Sequence, residues 1–230
     1  RTVKAKVLKA AAYLMNQPVE ELEASGGIIR SRNSNVSMTF KEVANAVYSQ
    51  MGSIPREQRE DLAASETYDP YLGTACSSTH LAMVEIDPET YGVTVKRYVV
   101  AEDCGRIINP MIVDGQVHGA VAQGIGAALL EEIVYDDQGQ FVTASLADYL
   151  VPVATNVPSI GIVHIEADLP NNIGGFRGMG EGGTIGAPAA IANAVSDALS
   201  PLGIEVDTLP VTPERIYRMV EAVRAKNAVA

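Results

Sequence analysis

Tryptophan is absent from this 230-residue chain, phenylalanine occurs three times, and there are only two cysteines and three histidines. Each scarcity excludes something. Cys76 and Cys104 form no C-x-x-C pair and no ligand cluster, so this chain by itself cannot supply the four thiolates of an iron–sulfur centre. Two thiols are also too few for a disulfide-built scaffold, and a reducing cytoplasm is the expected compartment. Basic residues number 17 against 28 acidic ones, a net charge of −11. Such a surface lacks the basic footprint of nucleic-acid binding and is repelled by anionic membranes. No apolar run is long and unbroken enough for a bilayer span. The opening RTVKAKVLKAAAYLM lacks an initiator Met and an unbroken apolar core of the secretory kind, so it reads as an amphipathic helix. A fragment or trimmed subunit is therefore expected.

Glycine, by contrast, is plentiful, with 20 residues, and it is unevenly placed. GGFRGMGEGGTIGAP, residues 174–188, holds seven glycines around one acid, Glu181. Gly178 to Gly183 satisfies G-x-G-x-x-G literally. A dinucleotide site, however, requires that motif to leave a strand directly. Here the nearest strand pattern, IGIVHIEA, ends well before it. The motif also sets a carboxylate where phosphate oxygens would lie, and no Lys-Ser/Thr follows to make a P-loop. A dinucleotide-binding protein remains a weak alternative beside two others: a carboxylate mounted on a glycine ribbon, and a solvated loop acid.

Elsewhere the patterns are local and readable. Residues 2–16 carry apolar side chains at helical spacing. GGIIRSRNSNVSMTF reads as a hairpin around Asn33-Ser34-Asn35. Thr39 and Glu42 form a capping box that opens a second helix. Residues 53–75 read as a long surface connection. The character changes at Ser78, which suggests an N-terminal portion 1–77 and a second portion 78–230. HLAMVEID and VTVKRYVVAEDCG pair across PETYG. Asn109 and Pro110 supply an N-cap and N1 for a helix rich in small residues, among them Gly115, Gly119, Gly124 and Gly126. Each glycine there costs roughly 1 kcal/mol of helix stability, tolerable only if something packs very closely. After the glycine loop, APAAIANAVSDALS, from Ala187, reads as a helix, and the last helix opens at Thr212-Pro213-Glu214. Helices and antiparallel strands interleave without a strict βαβ repeat, so the fold class is α+β.

Three stretches carry a further resemblance: DCGRIINPMIVDGQVHGAVAQGIGAALLEE (103–132), GQFVTASLADYLVPVATNVPSI (139–160), and RGMGEGGTIGAPAAIANAVSDAL (177–199) followed by LPVTPERI. In order and spacing they resemble the C-terminal part of the molybdopterin-binding large subunit of the xanthine dehydrogenase and aerobic carbon monoxide dehydrogenase family. That resemblance implies one part of a molybdenum hydroxylase. Its substrate is a small aldehyde or N-heterocycle, oxidised by attack of a Mo-bound hydroxyl and hydride transfer. It implies Glu181 as the catalytic base facing the metal and Gln116 as a hydrogen-bonding partner of the pterin. Gly115, Gly119, Gln123, Gly180 and Gly182 complete the expected cofactor wall, and no side chain of this chain is expected to ligate metal. The implied cofactor is molybdopterin with Mo, as the cytosine dinucleotide. Implied partners are the rest of the large subunit, an Fe–S subunit and an FAD subunit, and the chain alone is expected to be inactive. A non-catalytic assembly subunit of such a complex is the alternative.

Among the remaining polar residues, Asp103, Cys104 and Asn109 are expected to shape the turn ahead of the glycine-rich helix. Met179 either lines a pocket or packs under the loop. Arg177 is a candidate partner for Glu181 or a phosphate, or a surface cation. His118 reads as a packed or interface residue, and His80 and His164 have no partner by spacing.

Overall fold

Two three-stranded sheets organise the chain, one in each of two units, Arg1–Asp69 and Pro70–Ala230. The structure is a computed structural model that describes residues 1–50, 52–56, 59–69, 75–169 and 172–229.

In the first unit, helix α1 (Thr2–Met15) turns Val7, Ala10, Ala11 and Met15 inward at spacings of three and four, which fits one helical face. It stops at Asn16, which adopts the left-handed conformation (φ 50°) that asparagine tolerates. Strands β1 (Leu22–Ser25), β2 (Ile28–Ser31) and β3 (Ser37–Thr39) form an antiparallel sheet. The β2–β3 hairpin is the one expected from the sequence. The preceding β1 is an addition, paired through Gly26-Gly27, both at positive φ, as a tight two-residue turn requires. The capping box is present in full: Thr39 Oγ1 accepts from Glu42 N, and Glu42 returns a bond to Thr39 N. It opens α2 (Phe40–Tyr48), whose Val43 and Val47 meet Ile29, Leu22 and the α1 face in one core. The segment read as a surface connection contributes to this core, because Ile54 is buried and Leu62 packs against it. Its end, residues 70–74, lies outside the described residues.

In the second unit, β4 (Ser77–Ile86) and β5 (Val93–Asp103) form a long antiparallel hairpin, with β6 (Ile160–His164) parallel to β5 on its other side. Ahead of β4, Ala75 bridges to Gly178 and Cys76 N donates to the Gly178 carbonyl, which ties residues 75 and 76 to this unit. The hairpin turn is held by Asp87, whose Oδ1 accepts from Glu89 N and Thr90 N. Helix α3 (Pro110–Leu129) is capped by Asn109 and opened by Pro110 as the sequence dictates. Helix α4 (Gly182–Leu199) packs beside it, and α5 (Pro213–Val229) is capped by the Thr212 hydroxyl, which accepts from Arg215 N. One core joins them: Tyr98 and Val100 from the sheet, Val117, Val121 and Ile125 from α3, Ile191 and Val195 from α4, Ile216 and Val220 from α5. Each such fully buried side chain contributes about 1.5–3 kcal/mol relative to exposure.

One expectation is corrected here. The glycine segment is not a free ribbon with a helix following at Ala187. Gly182 to Gly186 are already helical, and Glu181 is the N-cap of α4. The glycines serve close packing. A Cβ on Gly183 would lie 2.8 Å from Ala120 Cβ and 3.0 Å from the Val117 carbonyl; one on Gly124 would lie 2.4 Å from Ala187 Cβ. Small residues on both helices let α3 and α4 approach, and burial of the joint face offsets their poor helix propensity.

Candidate active site and cofactor cleft

The approach of α3 and α4 leaves a cleft of about 380 Å³ between the middle of α3 and the N-terminal end of α4, lined by Gln116, Gly119, Ala120, Gln123, Gly180, Glu181, Thr184 and Ile185. Gln116, Gly119, Ala120 and Gln123 recur at i, i+3, i+4 and i+7, the spacing of one helical face. Across from them, Gln116 Nε2 donates to the Gly180 carbonyl at 3.4 Å, and Thr184 Oγ1 donates to the Ala120 carbonyl at 3.2 Å. Glu181 is exposed at this opening. Its backbone carbonyl accepts from Thr184 N and Ile185 N, while its carboxylate takes no part in capping the helix.

Of the expected wall residues, the fold brings Gln116, Gly119, Gln123, Gly180 and Glu181 to this one cleft. Gly115 sits one turn from Gly119 on α3 and is exposed. Gly182 is placed differently: it is buried, and a Cβ there would meet Cys76 Sγ at 2.8 Å and Met179 Sδ at 3.2 Å. Met179 accordingly packs on the core beneath the loop. Gly115 and Gly119 are distinctive among the α3 glycines. Neither has a positive φ, and a Cβ on either would meet nothing within 4 Å. Neither backbone conformation nor packing among the described residues calls for glycine at these two positions, although each costs helix stability.

Behind the cleft lie contacts that spacing did not reveal. His80 Nδ1 is 2.8 Å from Tyr98 Oη, and its Nε2 is 3.0 Å from Ser78 Oγ and 3.3 Å from the Gly182 carbonyl. Burial lowers its pKa, against a smaller opposing effect of the Gly182 bond. His164 bridges Glu102 and Asp114, 2.8 Å from each. Burial disfavours its charged ring, but the two carboxylates together outweigh that and raise its pKa. Both histidines thus have partners, contrary to expectation. Arg177 pairs with Asp103 at 3.5 Å rather than with Glu181. Asp103 also accepts from Gly105 N, in keeping with its expected part in the turn. His118 is exposed on α3, bonded to its own helix at the Asp114 carbonyl. The signal for His80 was present in principle, because Ser78 and His80 share one face of a strand at a spacing of two. Nothing in the sequence told which helix that face meets.

Residues 1–158 match the molybdopterin cofactor-binding domain family. The chain belongs to that family. Over 224 residues, 96% of the chain, this molybdopterin-binding domain is 38% identical to the large subunit of nicotine 6-hydroxylase from Paenarthrobacter nicotinovorans, covering 27% of that protein. The carbon monoxide dehydrogenase large chain of Afipia carboxidovorans is 29% identical over 96% of the chain and 27% of its own length. Among solved structures, quinoline 2-oxidoreductase from Pseudomonas putida 86 superposes with a TM-score of 0.87 at 42% identity, covering 96% of this chain and 28% of that one. The domain spans about a quarter of the length of these relatives. Other relatives are named as a Cu,Mo-CO dehydrogenase, with which the mixed α+β architecture is shared, and as a putative xanthine dehydrogenase molybdenum-binding subunit of Escherichia coli.

The cleft suits such a cofactor on its own terms. Among the described residues no group of three or more His, Cys, Asp or Glu side chains is placed to hold a metal ion. The donors present are amide side chains, backbone groups and one carboxylate, a set that suits an organic ligand bringing its own metal donors. The bare backbone at Gly115 and Gly119 offers a surface that such a ligand can lie against. No helix of the described residues is long and apolar enough to cross a membrane.

Proposed function

We propose that this domain forms one wall of the molybdopterin site of a molybdenum hydroxylase and that Glu181 is its catalytic base. The observation that carries the reading is the coincidence of two unrequired glycines, Gly119 in the cleft and Gly115 one turn from it, with the cleft that presents Gln116, Gln123, Gly180 and, at Glu181, a carboxylate that takes no part in capping its helix. Gln116 and Gln123 hydrogen-bond the pterin, and the α3 glycines let it approach the backbone. Gly182 stands behind this wall and supports it through Cys76 and Met179. When bound, the cofactor supplies two-electron oxidation of carbon and delivery of a water-derived oxygen. Glu181 receives the proton released as that oxygen becomes nucleophilic, which is general-base work.

The relatives named for nicotine and quinoline favour an electron-poor N-heterocycle as substrate, with small aldehydes next. Electrons leave through Fe–S and FAD centres on partner chains, the cofactor is the cytosine dinucleotide form, and the complex works in the cytoplasm. The rest of the large subunit closes the cleft, so the isolated domain retains no stoichiometric molybdenum.

Glu181→Gln in the assembled complex tests this reading. Turnover is expected to fall about 10²–10⁴-fold with molybdenum content unchanged. Unaltered turnover would assign the domain to assembly rather than chemistry.

A further inference from the structure

The first turn of α4 is poorly equipped to hold itself in place. Gly182 and Gly183 have no side chains, each costs roughly 1 kcal/mol of helix propensity, and the N-cap Glu181 makes no side-chain capping bond. Yet a base must be held within a fraction of an ångström to work. Something outside the helix has to orient this turn.

His80 meets that requirement. A carbonyl only accepts, so the proton near Gly182 sits on His80 Nε2, which donates to Ser78 Oγ (3.0 Å) and toward the Gly182 carbonyl (3.3 Å). Ser78 Oγ–H in turn donates to the same carbonyl at 3.1 Å. Nδ1 is then an acceptor, and Tyr98 O–H donates to it at 2.8 Å. Tyr98 is fully buried in the sheet, so the relay starts from a fixed point. The ring also lies against the second turn of the helix, where a Cβ on Gly186 would come 2.6 Å from it. We infer that His80, locked by Tyr98 and acting through Gly182, is a positioning residue for Glu181. This rests on reading Glu181 as the base.

Two conservative variants split the ring's functions. In His80→Asn the amide oxygen takes the place of Nδ1 and keeps the Tyr98 bond, but the ring's donor to Gly182 is lost and only the Ser78 hydroxyl, itself no longer held by Nε2, still reaches that carbonyl. In His80→Gln the amide nitrogen takes the place of Nε2 and keeps the donor to Ser78 and Gly182. In the assembled complex, His80→Asn is expected to lower kcat about 10- to 100-fold, as loss of outer-shell orientation does, with KM and molybdenum content unchanged. His80→Gln is expected to restore kcat to within about 3-fold. Equal losses, an asparagine variant at least as active as the glutamine one, or loss of molybdenum in both would overturn the inference.

Hydrogen–deuterium exchange over residues 182–187 reads the anchoring without activity. Exchange is expected to quicken in His80→Asn and not in His80→Gln; identical exchange in all three proteins overturns the inference. If that order holds while Glu181→Gln leaves turnover intact, the base reading fails and the anchoring stands. Should neither His80 variant assemble, Ser78→Ala removes only an exposed hydroxyl from the relay. It is expected to act in the same direction by about 3-fold, and unchanged exchange would count against the inference.

Discussion

Gly124 of α3 and Ala187 of α4 touch so closely that a Cβ added to the glycine would lie 2.4 Å from that of the alanine. Helices meet at this distance only where one of them presents bare backbone. The same contact sets the distance between Gln116 and the Glu181 turn.

Gly124→Ala is therefore expected to force the two helices apart. The overlap costs about 1–3 kcal/mol by overpacking, and the gain in helix propensity of roughly 1 kcal/mol offsets only part of it. Chemical denaturation should show net destabilisation, and molybdenum content of the complex should fall as the cleft changes shape.

Gly119→Ala should do the reverse to stability. The new methyl meets nothing within 4 Å among the described residues, so the propensity gain of roughly 1 kcal/mol is unopposed. The same methyl occupies the surface assigned to the pterin. A variant that is more stable yet poorer in molybdenum is the expected result, read by denaturation and metal analysis. Gly119→Ala with full molybdenum content would remove the main support for the cofactor wall.

His164 predicts a pH dependence. Its folded pKa is raised above the ordinary 6.5 by Glu102 and Asp114, which outweigh burial. Stability from the bridge is thus fully present below about pH 6.5 and is lost as pH rises through the raised value. The stability difference between the native protein and His164→Gln should narrow between about pH 6 and pH 9. A difference that is constant over that range would show that the ring is not charged in the bridge.

Cys104 should be inert. Burial first, then the neighbouring Glu102 carboxylate, pushes its thiol up to about 11, and reactivity requires the thiolate. Under native conditions at about pH 8, alkylation of Cys104 is expected to be at least about 100-fold slower than that of a free cysteine. The half-buried Cys76, whose pKa is also raised chiefly by burial, should react first once the chain loosens. Mass spectrometry of the labelled peptides checks the order.

Much of this fold follows from rules that act over a few residues. The Thr39–Glu42 capping box, the Asn109-Pro110 and Thr212-Pro213 helix starts, and the β4–β5 hairpin all stand where the sequence places them. Gln116 came from the family resemblance, and helical spacing puts it on one face with Gly119 and Gln123, which is why the three meet in one cleft. The start of α4 was misread for a definite reason. Five residues with three glycines score poorly as helix, and only contact with α3 and His80 makes them one. Strand β1 was missed because its partner, not its own alternation, defines it.

By itself, then, the sequence determined where most helices and strands begin, which residues face a core, and, through three motif stretches, membership in a cofactor-binding family. Only the tertiary structure decided that His80 reaches Gly182, 102 positions away, that His164 joins Glu102 to Asp114, and that Arg177 belongs to Asp103 rather than Glu181. Caps and alternation are energies between near neighbours and leave a periodic trace. A contact between distant segments leaves none, because either partner alone looks like any other polar residue on its strand, helix or loop.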